Sequence, residues 1–392
     1  MQSITLTQRA EKRLKNGHLW IYSNEIDSAK SSLKSIEEGE QVAVCNSSGK
    51  VFAHALMNPN SLICGRIVSR KSPFGKKLLR GRLVNALALR EAAFDEPCYR
   101  LVYAEGDYLP GLIVDRYNDV CVVQINSLGM AAYIDEIANI LMHIMPLKGV
   151  LFRHDGASRK QEGFAFEENQ VFGEVPEKVE ITENGTRFLV PVMEGQKTGW
   201  FYDHRDNRAK IAALSYGKRV LDVFSYAGSW GLQCLSAGAE SLTAVDISGF
   251  ALDCLEENAA LNGFADTVRC FEGKAFDALE ALIAEGEKFD VVILDPPAFI
   301  KKKKDFNAGF KAYKKINEQG LRLLEKDGFL VAGSCSMHLP DHELQNAVQQ
   351  AARHTDRELS LLYRGGHAAD HPIHPAIKET EYLKAQIYLR RG

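Results

Sequence analysis

The rhythm of hydrophobic and polar positions changes twice along this chain and so divides it into three. From Leu6 to about Arg70, short apolar runs are broken by turn residues: Gln41-Val42-Ala43-Val44, then Asn46-Ser47-Ser48-Gly49, then Val51-Phe52-Ala53, and later Leu62-Ile63-Cys64 to Ile67-Val68. Runs this short, punctuated by Asn, Ser and Gly, predict strands joined by tight turns, hence a small β domain over residues 1–71. Lys71-Ser72-Pro73-Phe74-Gly75-Lys76-Lys77 reads as a linker, because Pro and Gly interrupt a polar, basic run. The block 72–180 mixes periods. Leu83 to Phe94 and Ala131 to Ile144 have helical spacing, while Gly111 to Val114 and Val120 to Ile125 flank the turn Asp115-Arg116-Tyr117-Asn118-Asp119 as a hairpin.

Over 181–392 the pattern becomes alternating strand and helix. Arg219 to Val223, Ser241 to Val245, Val268 to Phe271, Val291 to Leu294 and Phe329 to Gly333 are apolar runs separated by helical patterns. Buried parallel strands look like this, so the expectation is a doubly wound sheet covered on both faces. Ligands of such sheets bind beyond the carboxyl ends of the strands, which is where chemistry is to be sought.

Composition and charge refine this picture only in places. With 392 residues, 45% hydrophobic and 25% charged, the chain is of ordinary globular composition and long for one core. No run approaches the roughly 20 apolar residues of a membrane helix, and Met1 to Ala10 lacks the apolar stretch of a secretory signal, so a cytoplasmic protein is expected. Eight cysteines without a C-x-x-C pair argue against a zinc ribbon or a disulfide framework. The net charge of -3 hides an asymmetry: residues 1–80 carry 13 Lys/Arg against 6 Asp/Glu, a local +7. A basic module on an acidic body suits docking on phosphates. Within it, Lys12, Arg13, Lys15, His18, Trp20 and Tyr22 interleave cations with rings that either stack on unpaired bases or fill the core of a small barrel.

Candidate chemistry gathers at three strand ends and a fourth that supports them. The first strand ends in Leu221-Asp222-Val223-Phe224-Ser225-Tyr226-Ala227-Gly228-Ser229-Trp230-Gly231. There Gly228 would let backbone approach a ligand, and the following helix would offer N–H groups to a negative group. The second ends at Asp246, placed to accept hydrogen bonds from ribose hydroxyls. The spacing does not fit G-x-G-x-x-G, which argues against a dinucleotide. The fourth ends in Asp295-Pro296-Pro297-Ala298-Phe299, where two prolines hold an acid and a ring rigidly toward a planar base. The fifth ends in Gly333-Ser334-Cys335-Ser336. A thiolate there could add to carbon 6 of a pyrimidine and so activate carbon 5, which is otherwise too poor a nucleophile for a sulfonium methyl.

Phe224-Ser225-Tyr226-Ala227-Gly228, Asp295-Pro296-Pro297 with Phe299, and Ser334-Cys335-Ser336 together resemble the successive motifs of the PUA-domain-containing large-subunit (23S) ribosomal RNA cytosine-5 methyltransferase family. Gly195-Gln196-Lys197-Thr198-Gly199 with Tyr202, Asp203, Arg205 and Asp206 resembles that family's entry segment, and Gly106-Asp107 through Asp115-Arg116 a further stretch. The resemblance covers nearly the whole chain. It implies a multidomain α/β protein: an N-terminal PUA-like β-barrel, a central α+β domain and a C-terminal Rossmann-like, seven-stranded class I methyltransferase domain.

The resemblance further implies that Cys335 is the nucleophile and that Asp295 faces the target base. S-adenosylmethionine would be held by Phe224, Ser225, Tyr226, Ala227, Gly228 and Asp246, with Lys197, Thr198, Tyr202 and Asp295 completing its site. Glu272-Gly273-Lys274-Ala275 stands where family members commonly carry an acidic pair. RNA contacts are expected at Lys12, Arg13, Lys15 and Phe299 and at the run Lys301, Lys302, Lys303 and Lys304 beside the base-facing loop. Asp370-His371-Pro372-Ile373-His374 has no acidic or cysteine partner at diagnostic spacing and reads as a structural loop, with no metal expected. A homodimer is left open, with no seam for one in the sequence. Two rival readings remain: methylation of an exocyclic amine, which needs no cysteine, and a non-catalytic RNA-binding assembly factor.

Overall fold

The computed structural model of the chain describes residues 1–165 and 168–392. The chain folds into two compact units: Met1–Val179 with Pro191–Tyr202 and Ala369–Thr380, and Glu180–Val190 with Asp203–Ala368 and Glu381–Gly392.

The first unit carries two five-stranded sheets. One runs in the order Ser3–Thr5, Gln41–Cys45, Val51–Met57, Ile63–Ser69, Trp20–Tyr22, with only its first pair parallel. Its core is Ile4, Leu6, Leu14, Ile21, Val42, Val44, Ala55 and Ile67. The helix Gln8–Lys15 lies in the stretch expected to hold only strands. Leu6, Ala10 and Leu14 are buried at four-residue intervals, and the Thr7 hydroxyl caps the Ala10 N–H.

The other sheet runs Gln170–Gly173, Gly149–Phe152, Val120–Ile125, Leu112–Tyr117, Cys98–Tyr103, and the helices Lys76–Ala93 and Ile134–Ile144 pack on it. The expected hairpin is present with a tighter turn. Asp115, Arg116 and Tyr117 continue the strand and only Asn118-Asp119 turn, Asn118 at φ +55°. Asp115, read as part of the turn, is fully buried and paired with Arg100 at 2.8 Å across the sheet.

In the second unit a seven-stranded sheet is built from Arg219–Val223 (β1), Ser241–Asp246 (β2), Val268–Glu272 (β3), Phe289–Leu294 (β4), Leu324–Ser334 (β5), Glu358–Gly365 (β6) and Lys384–Arg391 (β7). Their order is β3-β2-β1-β4-β5-β7-β6. The first five are parallel, whereas β7 is antiparallel to both β5 and β6. The five apolar runs read as parallel strands are parallel, and β6 and β7 extend the sheet at one edge. The winding reverses between β1 and β4, so the loops leaving these strands diverge and open a crevice at their carboxyl ends. Leu221, Val223, Val245, Val292, Leu294, Leu330 and Ala332 form the core beneath that crevice.

Candidate active site

The loop after β1 is held in an unusual backbone path. Phe224, Tyr226 and Gly228 all have positive φ, at +68°, +46° and +86°. Non-glycine residues rarely adopt this region, and such strain collects at functional sites. The loop is pinned from β2: Phe224 N–H donates to Val245 O at 2.8 Å and Tyr226 N–H to Asp246 Oδ2 at 2.9 Å. A Cβ on Gly228 would meet Leu232 at 2.8 Å and Leu255 at 2.9 Å, so both the turn and internal packing require glycine here. The helix that follows, Gly231–Ser236, gives its first N–H to Asp222 Oδ2 at 3.0 Å, so that donor is already taken. Asp222 is fully buried; burial pushes its carboxyl up to about 7 against the opposing Gly231 hydrogen bond, with the charges of Asp295 and Asp246 adding to the rise.

Asp246 accepts from Tyr226 N–H and Ser248 N–H, one on each oxygen, and is half-buried. Each oxygen keeps a further lone pair for a ribose hydroxyl. Ile247, next in sequence, is two-thirds exposed, an apolar surface unmarked by any motif. Across the β2–β3 ladder, Glu272 is exposed opposite Asp246.

Asp295 at the end of β4 accepts one hydrogen bond and faces a histidine. The Trp230 indole N–H donates to Oδ2 at 3.0 Å and His204 Nε2 faces Oδ1 at 3.3 Å. The His204 tautomer follows from its neighbour. Asn207 Nδ2 donates to Gly366 O at 2.9 Å and also meets His204 Nδ1 at 3.0 Å; Nδ1 therefore accepts and Nε2 carries the proton toward Asp295. The helix Arg205–Ala212 that follows His204 is anchored by the buried pair Arg208–Glu183 at 2.7 Å.

Cys335 follows β5, half-buried, with Sγ 3.8 Å from Pro296 O. Gly333 brings the two strand ends together: a Cβ there would lie 2.8 Å from Asp295 Oδ1. The residues flanking the cysteine are fixed by Tyr313, whose hydroxyl meets Ser334 Oγ at 2.9 Å and Ser336 Oγ at 2.8 Å. Lys384 of β7 donates to Ser336 O at 2.7 Å. Burial brings its ammonium down to about 8, an effect opposed by Cys335 and Asp341. Trp230, Asp222, His204 and Lys384 were not among the expected site residues: the first two lie in the β1 strand-end stretch but without a stated role, and His204 and Lys384 arrive from elements whose own pattern says nothing of this rim.

Phe224, Ser225, Tyr226, Ala227, Gly228, Asp246, Asp295, Phe299 and Cys335 all lie at the carboxyl ends of β1, β2, β4 and β5. Phe299 is half-buried among Phe224, Phe276 and Tyr313, its ring 4.9 Å from that of Tyr313. Lys301 to Lys304 are exposed, and none forms an ion pair among the described residues. The remaining expected residues lie in the first unit. The Thr198 hydroxyl donates to Asp115 at 2.5 Å and the Tyr202 hydroxyl to Arg116 O at 3.0 Å, both side chains fully buried, while Lys197 is exposed over Phe201. Lys12 is exposed, Lys15 pairs with Glu11, and Arg13 pairs with Glu25 at 2.5 Å and donates to Trp20 O. Trp20 is half-buried and its indole donates to Glu105 at 2.8 Å. Asp370 pairs with His371 at 2.7 Å and takes the Arg100 N–H. Among the described residues no group of three or more His, Cys, Asp or Glu is arranged for a metal, and no helix is long and apolar enough to cross a membrane.

A PUA-like domain model matches residues 4–70, and the S-adenosylmethionine-dependent methyltransferase family model matches residues 161–386. Proteins named ribosomal RNA large subunit methyltransferase I from Tolumonas auensis and Shewanella denitrificans are each 36% identical to this chain, with 98% of both chains covered. Among solved structures, a chain from Streptococcus mutans described as a SAM-dependent methyltransferase matches with TM-score 0.83 at 20% identity, over 99% of this chain and 100% of its own. A methyltransferase complexed with SAH matches with TM-score 0.84, also at 20% identity and over 99% and 100% of the two chains. Likeness at this identity shows a shared fold.

Proposed function

This chain belongs to the family of PUA-containing, S-adenosylmethionine-dependent large-subunit ribosomal RNA methyltransferases, and on that premise we propose that it forms 5-methylcytosine in large-subunit ribosomal RNA, with Cys335 as nucleophile. The observation that carries this reading is a half-buried cysteine on the same rim as the β1 loop, its sulfur 3.8 Å from the carbonyl of Pro296, the residue after Asp295.

The residues present suit the cofactor. Asp246 would accept from the ribose, the strained Phe224–Gly228 turn lies beside it, and exposed Ile247 would supply an apolar surface for the adenine. When bound, S-adenosylmethionine supplies a sulfonium methyl. Cytosine carbon 5 cannot take that methyl unaided. The Cys335 thiolate adds its electron pair to carbon 6, breaking the C5–C6 π bond and making carbon 5 electron-rich. After methylation the carbon 5 proton passes to a base, the π pair re-forms, and the S–C6 bond breaks with the pair returning to sulfur. Asp295, which accepts from the Trp230 indole and faces His204, would meet the ring's polar edge. The base must leave its stack to reach this rim. Exposed Lys301 to Lys304 directly follow the base-facing loop and would hold the flanking phosphates, with the PUA-like module and its exposed Lys12 as a second grip.

The test is incubation of the protein with labelled S-adenosylmethionine and unmodified large-subunit ribosomal RNA, followed by nucleoside mass spectrometry. Wild type should yield 5-methylcytidine and Cys335→Ala none, while still binding the cofactor. A methylated exocyclic amine, or turnover surviving in Cys335→Ala, would favour direct attack by an amine instead.

A further inference from the structure

Lys384 is an unusual residue to find behind a strand end. It is 9% exposed, on β7, directly opposite Ser334 in the antiparallel ladder with β5. Its Nζ donates to Ser336 O and to Tyr382 O, both at 2.7 Å. The side chain therefore starts across from the residue before Cys335 and ends on the carbonyl of the residue after it, which sets the ammonium against the nucleophile's own turn.

A buried ammonium is costly unless an anion compensates it, and two neutral carbonyls meet only part of that need. Among the described residues, the charged and titratable groups that act on it are Cys335, Asp341 and Glu381. Asp341 is already matched: Arg364 pairs with it, and Gln386 Nε2 donates to it at 2.7 Å. Glu381 is exposed, where water screens it. That leaves the sulfur. We propose that Lys384 is a positioning residue that acts through Cys335, its ammonium stabilising the thiolate before attack on carbon 6 and again when the sulfur leaves.

This inference rests on the reading of Cys335 as the nucleophile. In it the thiol proton goes to solvent water, the sulfur pair forms the S–C6 bond, and the pair returns to sulfur on elimination; Lys384 keeps its proton throughout. Its ammonium, brought down to about 8 by burial and held up in part by Cys335, is charged at neutral pH. The side chain's second bond, to Tyr382 O, keeps it from swinging out to water.

The test is the rate of Cys335 alkylation by iodoacetamide on the full chain without RNA, followed on the Cys335 peptide by mass spectrometry from about pH 5.5 to 9.5, a window that brackets an ordinary thiol. Wild-type reactivity should rise well below the pH of such a thiol, about 8.5. Lys384→Gln, which keeps hydrogen-bond donors without charge, and Lys384→Met should both react about tenfold more slowly at neutral pH, with the rise moved up by about one pH unit. Lys384→Arg should restore most of the rate. A wild-type rise at or above the ordinary thiol value overturns the proposal even if no variant folds, as does a Lys384→Gln profile that superposes on the wild type. Methylation by Cys335→Ala is scored separately: activity surviving there sinks the nucleophile reading, whereas the alkylation profile judges Lys384 alone.

Discussion

Asp222 makes the stability of the second unit depend on pH in a direction opposite to that of most carboxylates. It is fully buried beneath the β1 loop; Oδ2 accepts the Gly231 N–H, and Oδ1 has no hydrogen-bond partner. Burial raises its folded value to about 7 from 3.8. Below 3.8 both states hold the proton and this group adds no pH dependence. Above it the unfolded chain ionises while the folded one does not, so stability falls by about 1.4 kcal/mol per pH unit until the folded group ionises as well. Asp222→Asn keeps an acceptor for Gly231 and carries no charge at any pH. The stability of wild type relative to this variant should therefore be about 2–3 kcal/mol greater at about pH 5 than at about pH 8, the portion of the roughly three-unit shift that this window spans. Urea unfolding followed by tryptophan fluorescence reads it, because Trp230 sits on the same loop. An equal difference at both pH values would refute the reasoning.

Gly333→Ala would drive a Cβ to 2.8 Å from Asp295 Oδ1 and 3.1 Å from Leu294 O, so the carboxylate must move. Methylation at saturating cofactor should fall at least about tenfold; unaltered turnover would contradict the placement of Asp295. Replacing Lys301 to Lys304 by Ser should weaken RNA binding and flatten its salt dependence, by about 0.7–0.9 in the log–log slope for each phosphate no longer neutralised, as read by filter binding across salt concentrations. Unchanged affinity and slope would remove that run from the RNA surface.

How much of the molecule was legible in its sequence depended on whether a feature was local. The β1, β2 and β4 runs are apolar and continuous, so their ends, and with them Phe224 to Gly228, Asp246 and Asp295, could be located from pattern alone. Strands β6 and β7 could not: β6 is half-exposed with charged residues along it, and β7 carries Lys384, Gln386 and two arginines in a strand. Polar residues inside strands erase the hydrophobic signal when their partners are distant in sequence, as Lys384 with Ser336 and Asp115 with Arg100 illustrate. The roles of His204 and Trp230 went unread for the same reason, since they approach one carboxylate from two separate segments. Two glycines carry different constraints: Gly228 has a left-handed backbone and packs against Leu232 and Leu255, and Gly333 lets the β4 and β5 ends approach closely, which the sequence pattern did not single out. Thr198 and Tyr202, which the motif resemblance ties to the cofactor, have hydroxyls engaged with Asp115 and Arg116, a pairing that motif order alone does not reveal.

The central claim is a covalent bond between Cys335 and carbon 6 of a cytosine, and 5-fluorocytidine tests it directly. Fluorine at carbon 5 cannot leave as a cation, so elimination is blocked and the adduct persists. Large-subunit ribosomal RNA transcribed with 5-fluorocytidine, mixed with the protein and S-adenosylmethionine, should give a denaturant-resistant complex with wild type, the linked nucleotide mapping to Cys335, and none with Cys335→Ala. A wild-type enzyme that methylates ordinary RNA yet never traps the fluorinated substrate, or a complex that forms without Cys335, would contradict the account.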